Sequence, residues 1–304
     1  MKPVCAAPTE PLPKPDRRRQ WLAAIGLLPL LQACSPLGLI NALVPNGSHT
    51  LIESLPYGLQ ERQRMDVYLP KPAVQGAPMA VFFYGGSWNS GERADYKFVG
   101  EALAAQGIVT VVADYRLSPE VRYPVFLQDS AEAVKRALDS VGAWGVSPQR
   151  VFLMGHSAGA YNAAMLALDA RWLQEAGASR EQIAGWIGLA GPYDFLPIRA
   201  PDVQEAFAWP DTPLDSQPLF HARRPDAAAP PRVLLIAARK DNLVNPERNT
   251  LGLAQALSER GQTVRVELFD GVSHTTLMGA MAAPLRGLAP VLDTVRQFLV
   301  TTPS

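Results

Sequence analysis

Cysteine is nearly absent from this 304-residue chain, which has only Cys5 and Cys34. Their spacing fits no zinc motif, and loss of the N-terminus would leave no pair for a disulfide framework. Histidine is scarce as well, at four residues: His49, His156, His221 and His274. The net charge is zero and no basic run lies beyond the N-terminus, so the electrostatic footprint of a nucleic-acid binder is missing. The apolar run at residues 21–31 falls short of the roughly 20 residues that a membrane-spanning helix needs. No repeat with a period of 20–50 residues is evident. What remains is 48% hydrophobic and 18% charged, the composition of a well-cored globular domain of a size ordinary for one large α/β unit.

The N-terminal segment has the layout of an export signal. A polar, Pro-rich stretch ends in Arg17-Arg18-Arg19, the apolar residues 21–31 follow, and Leu31-Gln32-Ala33-Cys34 closes the segment. A charged region, a short apolar region and a small-residue boundary make a secretory signal peptide. Leu31-Gln32-Ala33-Cys34 resembles the bacterial lipobox, which implies cleavage before Cys34 and a lipid on its thiol. Arg18-Arg19-Gln20-Trp21-Leu22 also resembles a twin-arginine signal. On this reading residues 1–33 are a signal peptide, 34–50 a lipidated tether and 51–304 the globular domain. Membrane attachment would come from lipid, since the mature chain is mildly acidic. Ser35 after the cysteine favours outer-membrane sorting by analogy with bacterial lipoproteins. The competing reading of 21–31 is a buried amphipathic helix.

Downstream, short apolar runs alternate with helical patterns. Strands are expected at 51–55, 65–69, 79–83, 108–113, 150–154, 186–190, 233–237 and 264–269, the first two forming an antiparallel start. Helical spacing is expected at 97–106, 127–144, 160–168, 246–260 and 290–300. The run at 79–83 is continuously apolar, as in a strand buried on both faces, and 108–113 is the next buried strand. The class is therefore α/β, a mostly parallel eight-stranded sheet with helices on both faces. In such sheets ligands bind at the carboxyl ends of the strands, where the chemistry should be sought.

The strand at 150–154 runs into Gly155-His156-Ser157-Ala158-Gly159 and then an Ala-rich helix. This is the strand–turn–helix context of a G-x-S-x-G nucleophile elbow, with Ser157 on a strained turn and glycine needed on either side. After 79–83 comes Tyr84-Gly85-Gly86-Ser87-Trp88, whose glycines let backbone amides face a developing oxyanion. Asp241 follows the strand at 233–237 and His274 the strand at 264–269. Of the four histidines, only His274 lies just past a late strand. Ser157, Asp241, His274 is the chain order that goes with this elbow, in which a base activates the serine and an acid orients the base. Asp194 and Asp270 are rival acids.

Together these segments, with Asp114-Tyr115-Arg116-Leu117-Ser118-Pro119, resemble the α/β-hydrolase superfamily over about residues 60–300. The branch is that of hormone-sensitive-lipase-like and kynurenine-formamidase-like esterases. The resemblance implies the α/β-hydrolase fold, and oxyanion donors at the amides of Gly86, Ser87 and Ala158. That branch carries histidine where this chain has Tyr84, so the tyrosine either braces the loop or faces the substrate. Trp88 and Tyr84 are the expected substrate contacts.

Residues 195–231 break the alternation with Phe195, Leu196, Phe207, Trp209, Leu219 and Phe220 among many prolines. A loop of that length reads as a short cap over the site or as an ordinary excursion. The expected activity is hydrolysis of small to medium acyl or aryl esters by a serine mechanism, with no metal or organic cofactor. The alternatives are hydrolysis of N-formyl aromatic amides and a non-catalytic, lipid-anchored binding protein. The expected partners are an ester substrate and a membrane reached through Cys34, with no nucleic acid.

Overall fold

A computed structural model describes residues 36–224 and 232–301. The leader at 1–33, Cys34 and the end of the Pro-rich insertion lie outside the described residues. The sheet lies wholly within residues 40–304.

The strands are β1 (His49–Pro56), β2 (Arg64–Pro70), β3 (Ala77–Phe83), β4 (Val109–Ala113), β5 (Val146–His156), β6 (Gly185–Leu189), β7 (Arg232–Ala238) and β8 (Val264–Phe269). They form one sheet in the order β1-β2-β4-β3-β5-β6-β7-β8. β2 runs antiparallel to both β1 and β4, and the strands from β4 to β8 are mutually parallel. The helices, in chain order, are α1 (Pro36–Ala42), α2 (Lys97–Ala104), α3 (Val125–Leu138), α4 (Ala158–Leu168), α5 (Ala170–Glu175), α6 (Pro201–Ala206), α7 (Pro218–Ala222), α8 (Gly252–Ser258), α9 (His274–Gly279) and α10 (Val291–Val300).

β3 is buried at every position, so both of its faces are covered. α2 and α10 pack together, and α3, α4 and α5 form a second group; α10, α3 and α4 all meet β3. Burying such strands removes a continuous apolar run from water, about 25 cal/mol per Å² of apolar surface. That explains why Met79, Ala80, Val81, Phe82 and Phe83 carry no polar side chain. This is the mostly parallel eight-stranded sheet that the alternation of runs predicts.

Two helices differ from their sequence expectation. α3 ends at Leu138, not at 144, because Gly142 and Gly145 (φ +67°) follow, and the Ser140 hydroxyl bonds back to the Arg136 carbonyl. The expected helix at 246–260 opens as a π-turn over Glu247–Leu251 before α8 begins at Gly252.

Strand order sets the site. Chain connection runs from β3 to β4 on one side, and β5 then returns to β3's other side. The direction of winding reverses at β3, and crevices open at the carboxyl ends of strands at such a reversal. Phe83 at the end of β3 pairs with Gly155 near the end of β5. The loop after β3 is thereby brought beside the turn after β5.

Candidate active site

Ser157 stands between β5 and α4 with φ 53° and ψ −121°. A non-glycine residue there carries roughly 1–3 kcal/mol of strain and persists only when its surroundings over-determine it. Here the Ser157 amide donates to the Leu189 carbonyl at 2.8 Å, and its carbonyl accepts from the amides of Ala160 and Tyr161. The flanking glycines answer to different neighbours. A Cβ on Gly155 would overlap the carbonyl of Gly159, at the start of α4, and a Cβ on Gly159 would overlap the carbonyl of Phe83 at the end of β3. The elbow therefore presses on its own helix and on the adjoining strand at once.

His274 is the first residue of α9, which Ser273 caps by accepting a hydrogen bond from the Thr276 amide. Its Nδ1 lies 2.7 Å from Asp241 Oδ2. A carboxylate oxygen can only accept, so Nδ1 carries the proton, and in the neutral tautomer Nε2 is the unprotonated nitrogen. Asp241 Oδ1 accepts from the amides of Leu243 at 2.8 Å and Val244 at 2.9 Å. Burial pushes the Asp241 carboxyl up, but the His274 bond and the two amides outweigh it and hold the group below its ordinary value. The rival acids are engaged elsewhere. Asp194 pairs with Arg248 at 2.9 Å, and Asp270 pairs with Arg239 at 3.2 Å in the open.

Ser157, His274, Ser87, Trp88 and Ala158 all line one cavity of about 530 Å³. Gly86, Ser87 and Trp88 have φ of +128°, +49° and +59°, three successive left-handed residues, rare for a side chain as bulky as tryptophan. The turn is held from within by the Gly86 carbonyl, which accepts from the amides of Asn89 and Ser90. Ser118 donates its amide to the Trp88 carbonyl, and the Trp88 indole donates to Asn162 Oδ1 at 3.0 Å. The amides of Gly86, Ser87 and Ala158 donate to no acceptor among the described residues. Gly85 permits the close approach, for a Cβ there would stand 2.9 Å from the Ser157 Cβ.

Tyr84 does not contact the cavity, a correction to its expected place among the substrate contacts. It is fully buried, donating its hydroxyl to Asp114 Oδ1 and accepting from Arg62 Nη2, each at 2.8 Å. Burial first, and then Asp114, push its pKa far above the ordinary value, so the hydroxyl stays protonated. Arg62 also donates to the Gly91 carbonyl, Arg93 pairs with both Asp114 and Asp66, and Tyr115 donates to the Tyr84 carbonyl at 2.8 Å. A phenol points into this network because an ion cluster below the loop offers it both a donor and an acceptor.

From the insertion, Phe195, Pro197, Ile198, Arg199, Ala200, Asp202 and Val203 line the cavity opposite the loop after β3. Phe207 is buried behind them, 4.8 Å from Trp88 and 5.2 Å from Phe195 between ring centroids. Pro192 and Asp194 line it as well, and so do Leu243, Val244, Asn245, Arg248 and Asn249. Sequence reasoning missed this last group. The only signal was that they directly follow Asp241. It also passed over His156, whose imidazole lies 4.9 Å from that of His274.

Comparison with known proteins follows the same pattern. The BD-FAE family model matches residues 65–257. A probable isoprenylcysteine alpha-carbonyl methylesterase of Oryza sativa subsp. japonica is 26% identical over 270 residues, covering 79% of this chain and 61% of that protein. The kynurenine formamidase of Salmo salar is 32% identical over 152 residues, 50% of this chain and 49% of that protein. The chain thus spans about half to three-fifths of the length of these relatives. A hyperthermophilic esterase from the archaeon Pyrobaculum calidifontis superposes with a TM-score of 0.70 at 20% identity, covering 95% of this chain and all of that one. At that identity the likeness speaks for the fold, which is the α/β-hydrolase fold.

Proposed function

We propose an activity for a chain that belongs to the BD-FAE family and has the α/β-hydrolase fold: hydrolysis of carboxylic esters through an acyl-enzyme. The observation that carries the reading is the 2.7 Å bond between His274 and Asp241, with His274 and Ser157 lining one cavity. Ser157 Oγ attacks the acyl carbon while His274 Nε2 takes its proton. Asp241 keeps the imidazole in the required tautomer and stabilises its charged form. The amides of Gly86, Ser87 and Ala158 receive the oxyanion; such a donor is worth about 2.7–4 kcal/mol in the transition state. His274 then returns the proton to the leaving alcohol. Water, deprotonated by the same base, attacks the acyl carbon and frees Ser157.

The substrate class follows from the lining. Trp88, Phe195, Ile198, Val203 and Leu243 offer apolar surface around the nucleophile, suited to a small to medium acyl or aryl group. The match to a kynurenine formamidase over half of the chain supports a second reading, an N-formyl aromatic amide. The same residues would serve both bonds.

The test is Ser157→Ala against a series of aryl esters of increasing acyl length, with an N-formyl aromatic amide alongside. We expect hydrolysis to fall by about 10⁴-fold or more with unfolding midpoints unchanged; retained activity would sink the reading. Amide turnover exceeding that of every ester would favour the second reading. Export and lipidation at Cys34 rest on residues 1–34 alone. Cys34→Ala should release the protein from the membrane fraction, and unchanged fractionation would remove the anchor.

A further inference from the structure

His156, the residue between Gly155 and the nucleophile, is buried at the end of β5. Its Nε2 lies 3.1 Å from the backbone carbonyl oxygen of His274. A carbonyl only accepts, so the imidazole donates from Nε2 and its Nδ1 is the bare nitrogen. That Nδ1 is fully buried with no partner among the described residues, and it faces Gly85, where a Cβ would stand 3.1 Å away. The two histidine rings are tilted by 45° at a centroid distance of 4.9 Å.

We propose that His156 is a positioning residue, whose Nε2–H ties the backbone of His274 to the strand that carries Ser157. The proposal rests on the roles given above to Ser157 and His274. Asp241 holds one edge of the His274 ring but leaves the ring free to swing about that bond. A second hold, on the backbone of the same residue, fixes the point from which the ring hangs and limits how far the base can drift from the nucleophile. Misplacing a catalytic group by about 1 Å can slow a reaction about 100-fold, so a two-point hold has a kinetic consequence.

The neighbourhood suits a neutral tether. Burial first, then the adjacent His274, hold the His156 pKa down to about 3, with Asp241 the opposing charge. His156 therefore adds no positive charge beside a base that must itself become positive. Its neighbours also enforce the tautomer. Nδ1 is buried without a hydrogen-bond partner among the described residues, so a proton placed there would have no acceptor, at a cost of about 1–3 kcal/mol.

Two measurements on the full chain test this. Nitrogen NMR of the histidine side chains should show His156 as the neutral Nε2–H tautomer throughout about pH 5–8, the range in which free histidine titrates. Titration in that range, or the Nδ1–H tautomer, would overturn the tether whatever the enzyme's activity. Kinetics then compare His156→Gln, His156→Asn and His156→Phe. The amide nitrogen of glutamine can stand where Nε2 stands, whereas that of asparagine reaches only the Nδ1 position. We expect His156→Gln to keep kcat within about threefold, and the other two to lose about 10–100-fold in kcat with KM little changed. If phenylalanine fails to fold, the glutamine–asparagine contrast carries the test. A glutamine variant no better than asparagine, or a loss wholly in KM, would overturn the tether while Ser157→Ala still abolished activity. Activity surviving in Ser157→Ala would instead remove the reading beneath it, and the tether with it.

Discussion

On one side of the cavity, the loop from Tyr84 to Gly91 hangs from buried charge. Asp114 takes bonds from the Tyr84 hydroxyl, the Arg93 amide and the Arg93 guanidinium, and Arg62 ties Tyr84 to the Gly91 carbonyl. On the other side, residues 195–203 rest on aromatic contacts, chiefly Phe195 against Phe207 and Trp88, and on the partly exposed Asp194–Arg248 pair. A few hydrogen bonds add to these, from the Phe195 amide to Gln217 and from Arg248 and Gln204 to the Leu196 and Ile198 carbonyls. No ion cluster like that beneath the first wall lies there among the described residues. On the proposed mechanism, the first wall presents the amides whose placement must hold as an oxyanion forms. On the same proposal, the second lines the part of the cavity that would meet the variable part of a substrate. Directional bonds among buried groups resist small displacements, because each is expensive to leave unmade. Aromatic packing is non-directional by comparison and can shift to fit a different occupant. The difference between the walls is a difference between fixing chemistry and accommodating shape.

The strongest way to break this contrast is to remove the anchor of the first wall. Asp114→Ala leaves the Arg93 guanidinium beside a single carboxylate, Asp66, and strips Tyr84 of its acceptor. We expect a loss of about 3–5 kcal/mol in denaturant unfolding, as when one partner of a buried pair is removed. A loss under about 1 kcal/mol would show that the ion cluster does not hold the loop. Tyr84→Phe is the gentler cut, deleting two hydrogen bonds but leaving the Arg93–Asp114 pair. It should cost about 1–2 kcal/mol and lower kcat about tenfold with KM unchanged. If KM took the loss, Tyr84 would have a part in substrate binding despite its burial.

The elbow between the walls has its own pH signature. His156 has a pKa of about 3 in the folded protein, against an ordinary value of about 6.5. Between those values the unfolded chain binds a proton that the folded chain does not. Stability contributed by the neutral ring is therefore complete above about pH 6.5 and is lost as pH falls towards 3. The slope from this group is about 1.4 kcal/mol per pH unit. Unfolding measured from pH 7 to pH 5 should lose about 2 kcal/mol more in the parent than in His156→Gln. Parallel curves would show that the ring is protonated in the folded state.

The two walls were also unequally legible in the sequence. The central strands announce themselves, because burial on both faces permits no polar residue in runs such as Val81-Phe82-Phe83. Ser157, Asp241 and His274 follow from the elbow and from chain order, and the bond from His274 to Asp241 separates that acid from Asp194 and Asp270. The fate of Tyr84 could not be read, since its partners Arg62 and Asp114 lie 22 and 30 residues away and meet it only through the sheet. His156 was passed over for a related reason. Position within G-x-S-x-G says nothing of a backbone carbonyl 118 residues downstream. The insertion was visible as a break in alternation, but its path depends on side-chain packing that has no period to read.

The second wall offers the smallest and most selective effect. The Arg248 guanidinium donates to Asp194 and to the Leu196 carbonyl, and its side chain is 45% exposed against 31% for Asp194. Ion pairs this wet contribute about 0–1 kcal/mol, so Arg248→Gln should leave the unfolding midpoint nearly unchanged. The same residue lines the cavity and pins the start of the insertion. Loosening it should therefore change which acyl groups fit without touching the machinery around Ser157. We expect KM to shift by about two- to fivefold between short and long acyl esters, a difference of under 1 kcal/mol, while kcat on the best substrate stays within a factor of about two. An equal fall in kcat across all esters would mean that this wall, too, positions the reacting groups, and the contrast between the walls would fail.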